Sequence, residues 1–320
     1  MKKILLISLI TSSVFSQTSN IFEPIDLFDL EYVSNTEISP SGDKVLYQRN
    51  YNDIMTDQSF SNIWLINYDG TNNRPITTGN YKDNSPKWSN QGDKFIFQSN
   101  RDSKSQIFLF DLKNNSIQKL TNFQYSIQSI KWSPDDNYIL FSSFIDSKRK
   151  SLIKMPEKPK GAKWNDPPVE ISDLNYRYDS SGYRKPGEVQ FFTIPVSGGT
   201  PRQISNIKPE KRAGQAEWLG NDRIIFSANL NDDSDYNTNN SEIYILSLES
   251  GKHEALTSRN GPDSTPKVSN DNSMIAYLGY DDEYLGYQQN SIYVMKPDGS
   301  SKFKIQLNLD RNISNISVKI

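Results

Sequence analysis

Residues 129–141 read Ser-Ile-Lys-Trp-Ser-Pro-Asp-Asp-Asn-Tyr-Ile-Leu-Phe, which is an apolar stretch, a polar turn and a second apolar stretch. The Pro-Asp-Asp-Asn segment supplies residues that favour tight turns, and the aromatic and β-branched residues on both sides fit a pleated sheet. The segment therefore predicts two antiparallel strands joined by a short turn.

The same arrangement recurs along the chain, and in most copies an aromatic residue follows a serine by eight positions. These copies are Ser39 with Tyr47, Ser89 with Phe97, Ser133 with Phe141 and Ser269 with Tyr277. A further copy begins at Leu219 and has its aromatic residue, Phe226, one position sooner. The period is therefore roughly 40 to 50 residues with one longer step, which is typical of the blades of a β-propeller.

A second motif keeps the same register. It joins an aromatic residue in a later apolar stretch to Thr or Ser thirteen positions downstream, with a turn signal such as Asp69-Gly70 between them. The pairs are Trp64 with Thr77, Phe108 with Thr121, Phe192 with Ser205 and Tyr244 with Thr257, while a fifth copy has Tyr293 with Gln306. Two motifs in phase predict an all-β fold, a β-propeller of four-stranded antiparallel blades. A β-sandwich with coincidental spacing is the alternative.

The register also predicts how the chain is divided. Five blades are expected within residues 17–320, the first running from about Ile38 to Thr78 after a lead-in over residues 17–36. The buried strands should be those that carry Phe97, Phe141, Phe226 and Tyr277. Ser317-Val318-Lys319-Ile320 is similar to Ser129-Ile130-Lys131-Trp132, so we expect a sixth blade to start there and the propeller to be incomplete.

The third repeat is longer than the others, and its excess falls at about residues 147–186. The first part of this stretch, from Ser147 to Trp164, is rich in lysine and arginine and is interrupted by prolines. Added length is tolerated in loops, so we expect an insertion on one face of the propeller. A charged loop of this kind is usually solvated, although it also fits an anionic surface.

The N-terminus predicts export. Lys2-Lys3 precedes a short, mostly apolar stretch from Ile4 to Phe15, and Ser16 is a small residue at a plausible cleavage point. Residues 1–16 are therefore predicted to be a secretory signal peptide, which would make the mature protein, from about Gln17, periplasmic or secreted. An uncleaved membrane anchor is the alternative.

Composition excludes several kinds of chemistry. The 320 residues include 36 Lys and Arg against 38 Asp and Glu, so no basic excess favours nucleic acid. There is no cysteine, which rules out disulfides, cysteine catalysis and thiolate metal sites. The sequence has one histidine, His253, and no G-x-S-x-G motif for a nucleophile elbow. We therefore predict no catalytic, cofactor-binding or metal-binding residue in this chain, and no cofactor.

Two other residue patterns have structural explanations. The acidic stretches 232–235 and 281–283 lack the spacing of a calcium loop and are expected to be solvated hairpin tips. Four tryptophans recur at regular places in the repeat and are expected to pack between blades rather than form a stacking platform. They are Trp64, Trp88, Trp132 and Trp218.

These residues also resemble a known family. Residues 132–141 are similar to the repeat shared by TolB-like propellers and by the propeller of prolyl oligopeptidase family serine peptidases. Residues 171–183 and 192–204 look like the third-blade insertion of the acylaminoacyl-peptidase and dipeptidyl-peptidase-5-like subfamily, and residues 309–315 resemble the start of its sixth blade. The similarity covers roughly residues 22–320.

The resemblance implies an N-terminal propeller, usually of seven blades, joined to a C-terminal α/β-hydrolase domain with a Ser-Asp-His triad. In that arrangement the propeller lets only short peptides reach the serine. We expect this chain to be the substrate-gating propeller of an exported peptidase of this kind, without its catalytic domain. Arg177 and Tyr183 lie in the insertion that could face the substrate cavity, and neither is given a role. The alternative is a stand-alone TolB-like periplasmic propeller that serves as a protein-binding scaffold.

Overall fold

The computed structural model describes residues 21–147, 156–165, 168–171, 173–208 and 212–317. The predicted signal peptide of residues 1–16 lies outside the described residues. So do residues 148–155 of the basic stretch and residues 318–320 of the predicted sixth-blade start.

Five four-stranded sheets follow one another along the chain after a 3-10 helix, Pro24–Phe28. The first blade has β1 (Glu31–Ile38), β2 (Lys44–Asp53), β3 (Gln58–Asn67) and β4 (Arg74–Pro75). The second has β5 (Asn84–Trp88), β6 (Lys94–Asp102), β7 (Lys104–Asp111) and β8 (Ser116–Lys119). The third has β9 (Ile127–Trp132) and β10 (Tyr138–Asp146), and is completed after the insertion by β13 (Gly187–Pro195) and β14 (Arg202–Gln203).

The fourth blade has β15 (Arg212–Leu219), β16 (Arg223–Asn229), β17 (Glu242–Ser247) and β18 (His253–Ala255). The fifth has β19 (Asp263–Val268), β20 (Ile275–Gly279), β21 (Ser291–Met295) and β22 (Phe303–Lys304). Within each blade the strands are antiparallel and lie side by side in chain order. The predicted all-β propeller of four-stranded blades is confirmed. No helix in the described part of the chain has the length and apolar character needed to span a membrane.

The core lies between neighbouring blades, because alternate residues of each central strand face opposite sides of its sheet. Phe97 packs toward the first blade, against Leu46 and Ile63, whereas its neighbour Ile96 packs toward the third, against Phe141. Phe97, Phe141 and Phe226 are 0% exposed and Tyr277 is 1% exposed. The strands predicted to be buried are therefore buried.

The innermost strands begin earlier than the repeat predicted. The first blade was expected to start at about Ile38, but β1 begins at Glu31, inside the stretch taken as a lead-in. β1 is exposed along most of its length, and a β-bulge between Ser34 and Glu37 shifts its register against β2. Because a bulge breaks the two-residue alternation of side chains, the sequence of this strand lacks the usual pattern.

The antiparallel order gives the propeller two ends. One end, here called the turn end, carries the turn that follows each innermost strand, such as residues 39–43. The other end, called the insertion end, carries the loop between the second and third strands of each blade, including residues 230–241 and the described part of residues 147–186. The insertion contains a short hairpin of β11 (Arg177–Tyr178) and β12 (Gly182–Tyr183).

Hydrogen bonds at the turn end join two pairs of neighbouring blades. The backbone and side-chain N–H groups of Asn90 each donate to Asp136 Oδ1 at 2.8 Å, which ties the second blade to the third. The backbone N–H of Gly220 donates to Asn272 Oδ1 at 2.9 Å, which ties the fourth blade to the fifth. These contacts fix the positions of neighbouring turns relative to one another.

Candidate functional site

One charged residue occupies the same repeat position in every blade, near the end of the innermost strand and two residues before the turn begins. We call this set the charged ring. It lines an axial cavity of about 730 Å³ at the turn end, together with tryptophan, serine and asparagine side chains. The ring consists of Glu37, Lys87, Lys131, Glu217 and Lys267.

The ring is held by ion pairs between blades. Lys87 pairs with Glu37, and the ammonium groups of Lys131 and Lys267 both contact the same oxygen of Glu217, Oε1. The Glu217 side chain is 16% exposed, and those of Lys131 and Lys267 are 22% and 28% exposed. Three lysines therefore share two carboxylates in a partly desolvated space.

The pKa values of two lysines reflect this crowding. Burial, followed by repulsion from Lys131 and Lys267, lowers the pKa of Lys87 below its ordinary value. Burial also lowers the pKa of Lys131, and Lys267 adds to the effect while the Glu217 carboxylate opposes it. The ring therefore holds more positive charge than its own carboxylates balance.

The tryptophans of the innermost strands surround the same cavity. Trp88 Nε1 donates to the carbonyl oxygen of Glu37 at 3.1 Å, and Trp132 Nε1 donates to that of Lys87 at 2.9 Å. Each indole thus ties its blade to the preceding one. Trp218 is also buried, at 7% exposed, but within the described part of the chain its Nε1 has no hydrogen-bond partner.

Trp64 does not share this environment. It lies on β3, on the face of the first blade that points away from the second, and is only half-buried. Its ring stacks with Tyr47 at a centroid distance of 6.2 Å, and the Arg49 guanidinium lies 4.9 Å from its centroid. The expectation of packing between blades therefore holds for Trp88, Trp132 and Trp218. Trp64 lies instead on the face of the first blade that no other described blade covers.

The remaining polar candidates lie apart from the ring. His253 is exposed on β18, with its ring edge-on to Tyr244 at a centroid distance of 5.8 Å. The acidic stretches 232–235 and 281–283 lie in loops at the insertion end, where Asp282 accepts hydrogen bonds from Gln288 Nε2 and the backbone of Tyr284. In the described residues no group of His, Asp and Glu side chains is arranged to hold a metal ion.

The insertion hairpin brings Arg177 and Tyr183 together as directly paired residues. Tyr183 borders a cavity of about 430 Å³ between the hairpin and β13, while Arg177 does not line it. A second cavity, of about 480 Å³, separates the hairpin from the fourth blade, whose Asp235 carbonyl accepts a hydrogen bond from Asn175 at 3.4 Å. The hairpin therefore rests against the insertion end of the fourth blade.

Comparison with known proteins agrees with this architecture. No family model matches the sequence. A segment of 97 residues, 30% of this chain, is 26% identical to dipeptidyl-peptidase 5 of Porphyromonas gingivalis and covers 14% of that protein. Uncomplexed acylaminoacyl peptidase of Pyrococcus horikoshii superposes with a TM-score of 0.66 and 18% identity, over 90% of this chain and 41% of that one.

Two further solved structures share the fold. The β-propeller domain of the trilobed protease from Pyrococcus furiosus has a TM-score of 0.57 and 17% identity, over 90% of this chain and 76% of that one. A putative TolB from Agrobacterium tumefaciens has a TM-score of 0.52 and 13% identity, over 86% and 80%.

The chain is thus an all-β propeller, and its resemblance to the N-terminal propeller of a prolyl oligopeptidase family peptidase is confirmed. Over 97 residues the sequence is similar to dipeptidyl-peptidase 5, and the fold is similar to that of acylaminoacyl peptidase. The chain spans about two fifths of the length of the acylaminoacyl peptidase, and its matched segment covers 14% of dipeptidyl-peptidase 5.

Proposed function

We propose that this chain is the substrate-gating propeller of an exported serine peptidase that acts on short peptides. In this proposal the propeller works with a catalytic α/β-hydrolase domain, which supplies the nucleophile, base and oxyanion hole. The observation that carries the proposal is the axial cavity, which every blade lines with one charged side chain. At about 730 Å³ the cavity is within the range of small-ligand sites and too small for a folded protein.

The insertion end supports docking of a second domain. Its loops present large apolar side chains to solvent in three different blades, and a domain docked on this end would cover them. The most exposed are Met55 at 86%, Tyr236 at 85%, Tyr287 at 83% and Tyr284 at 79%. A domain seated on this end would leave the charged ring at the opposite end, where substrates approach from solvent.

The test compares the chain alone with the chain joined to a hydrolase domain. Residues 17–320, the same residues fused to the hydrolase domain of an acylaminoacyl peptidase, and that hydrolase domain alone are assayed with a chromogenic dipeptide ester and with an unfolded polypeptide. We expect no turnover by the chain alone. The fusion should cleave the dipeptide and spare the polypeptide, whereas the isolated hydrolase domain should cleave both.

Two results would contradict the proposal. One is turnover by the chain alone that survives purification and is lost in His253→Ala. The other is equal cleavage of the polypeptide by the fusion and by the hydrolase domain, which would favour a scaffold role like that of a TolB propeller.

Export is proposed from Lys2-Lys3 and the apolar stretch that follows them. N-terminal sequencing of protein recovered from the periplasm or the medium should find an end near Gln17. Intact Met1 in a cytosolic fraction would overturn this part of the proposal.

A further inference from the structure

We propose that the charged ring and the Trp218 indole form an anion site in the axial cavity, which takes the carboxylate group of a short peptide. This inference rests on the proposed function for its choice of a peptide as ligand. The site itself is argued from the ring, and its test does not need a catalytic domain.

The first argument is the balance of charge. The ring contains three ammonium groups and two carboxylates, and one oxygen, Glu217 Oε1, serves both Lys131 and Lys267. One positive charge is therefore left without a carboxylate of its own. A ligand with a single negative charge would neutralise the ring, whereas a cation would meet three lysines at close range.

The second argument is the unpaired indole. In the second and third blades the equivalent N–H groups donate to the backbone carbonyls of Glu37 and Lys87. In the fourth blade Trp218 lines the same cavity, is nine-tenths buried, and its Nε1 has no partner among the described residues. A buried donor without an acceptor is unfavourable, so an acceptor brought within reach of this edge of the indole would be stabilised there.

The third argument is geometry. Lys131, Glu217, Trp218 and Lys267 come from three consecutive blades and line one wall of the cavity. A carboxylate has two oxygens, so it can accept from an ammonium group and from the indole N–H at once. The Glu217 carboxylate would remain paired with the second lysine.

The experiment measures binding of N-acetyl-dialanine, which has a free carboxylate, to the mature chain by calorimetry and by tryptophan fluorescence. N-acetyl-dialanine amide and inorganic phosphate are the comparison ligands. We expect the free acid to bind at least about tenfold more tightly than the amide, which is the effect of losing one hydrogen bond to a charged group. Phosphate that binds as tightly as the free acid would overturn the assignment to a peptide carboxylate.

The variants test the direction of the effect. Lys267→Gln should weaken binding of the free acid by about tenfold, and Trp218→Phe should weaken it by a smaller factor. Lys113→Gln removes an equal charge from an exposed turn outside the cavity and should leave binding unchanged. Glu217→Gln removes the competing carboxylate and should tighten binding, a gain that a damaged fold would not produce.

Binding that is unaffected by both Lys267→Gln and Glu217→Gln would overturn the proposal. If the free acid fails to bind while the hydrolase fusion still spares the polypeptide, the anion site is wrong and the gating function stands. If the free acid binds as expected but the fusion cleaves the polypeptide freely, the gating function is wrong and the anion site stands.

Discussion

Thr257 donates its hydroxyl proton to the Glu242 carboxyl group, and its oxygen accepts the backbone N–H of Ile243 at 2.9 Å. The same pair of hydrogen bonds recurs in two other blades, where the residue in the place of Glu242 is a glutamine. Thr121 contacts Gln106 and Ile107 in the second blade, and Ser205 contacts Gln190 and Phe191 in the third. The repeated Thr or Ser of the sequence therefore forms hydrogen bonds that connect the third strand of its blade to the segment that follows the fourth strand.

The glutamines also donate, and a carboxylate cannot. Gln106 Nε2 donates to the carbonyl oxygen of Phe123 at 3.0 Å, and Gln190 Nε2 donates to that of Ile207 at 2.7 Å. Glu242 can act as such a donor only when it is protonated. It is 5% exposed, and its burial raises its pKa to about 7.

We expect Glu242→Gln to flatten the dependence of stability on pH. The folded pKa of Glu242, about 7, lies above the ordinary value of 4.5. Below pH 4.5 the Glu242 carboxyl group is protonated in both the folded and the unfolded state, so its titration costs no stability. As the pH rises from 4.5 toward 7, the unfolded state loses this proton first, and the free energy of unfolding therefore decreases. Burial also raises the pKa of Asp263, to about 6, so some dependence should remain in the variant. Urea midpoints at pH 5 and pH 8 measure the change.

The matched control moves the carboxyl group to another blade. Gln106→Glu places an acid where Thr121 and Phe123 surround it, so the variant should lose more stability between pH 5 and pH 8 than the unchanged chain does. If Gln106→Glu and Glu242→Gln both follow the pH curve of the unchanged chain, the burial argument fails.

Thr121→Val should destabilise the protein by about 1–3 kcal/mol, because it leaves the buried Ile107 N–H without its acceptor and removes one of the two donors to Gln106 Oε1. The measurement is the free energy of unfolding in urea. Thr71→Val removes a hydroxyl that contacts Asp69 on the surface and should cost less. An equal decrease in the free energy of unfolding of the two variants would show that the buried hydrogen bonds of Thr121 contribute no more than an exposed one.

Asp83→Ala should cost about 3–5 kcal/mol, because it leaves the Arg101 charge without its partner. Asp83 is 0% exposed and lies 2.7 Å from Arg101 Nη2, and the guanidinium is 5.0 Å from the ring centroids of Tyr81 and Phe108. Chemical denaturation is compared with Glu31→Ala, which breaks the exposed pair with Arg49 and should cost under about 1 kcal/mol. A small loss in Asp83→Ala would mean that Arg101 reaches water without rearrangement.

Phe141→Ala should cost about 3–5 kcal/mol, because it opens a cavity between the second and third blades. The Phe141 ring is fully buried and stacks on Phe192 at a centroid distance of 5.2 Å. Tyr284→Ala removes an aromatic ring that is 79% exposed and should leave the denaturation midpoint nearly unchanged. Similar midpoints for the two variants would contradict the assignment of the core.

The sequence predicted the parts of the fold in which a local pattern repeats. Phe97 and Phe141 occupy equivalent places in successive repeats because each lies on the second strand of its blade, where apolar residues face both neighbours. The first strand of the first blade escaped prediction because its bulge at Ser34 and Glu37 breaks the alternation. The hairpin within the insertion escaped it because each of its strands has two residues, too few to show a period.

The charged ring was missed for a different reason. A single Lys or Glu in a strand is usually solvated, and the ring contains both residue types, so no one residue type marks the position in every repeat. The signal was nevertheless present, since each member lies two residues before Ser or Leu at the start of a turn, as Lys131 does before Ser133. Only when the blades are superposed does this register become a set of side chains around one axis.

The indole and turn contacts also make the joints between blades unequal. We number the joints by the blade that precedes them. An indole hydrogen bond connects the blades at the first and second joints, and a hydrogen bond between turns connects them at the second and fourth joints. Among the described residues the third joint has neither. It combines apolar packing with the ion pair of Lys131 and Glu217 and with the hydrogen bond that Arg202 Nη2 donates to the carbonyl oxygen of Leu248. Dissolved ions screen a partly buried ion pair less than an exposed one, and they leave apolar packing in place. Raised ionic strength should therefore weaken the ion pair at the third joint, beside the insertion, only partly, and leave its apolar packing closed.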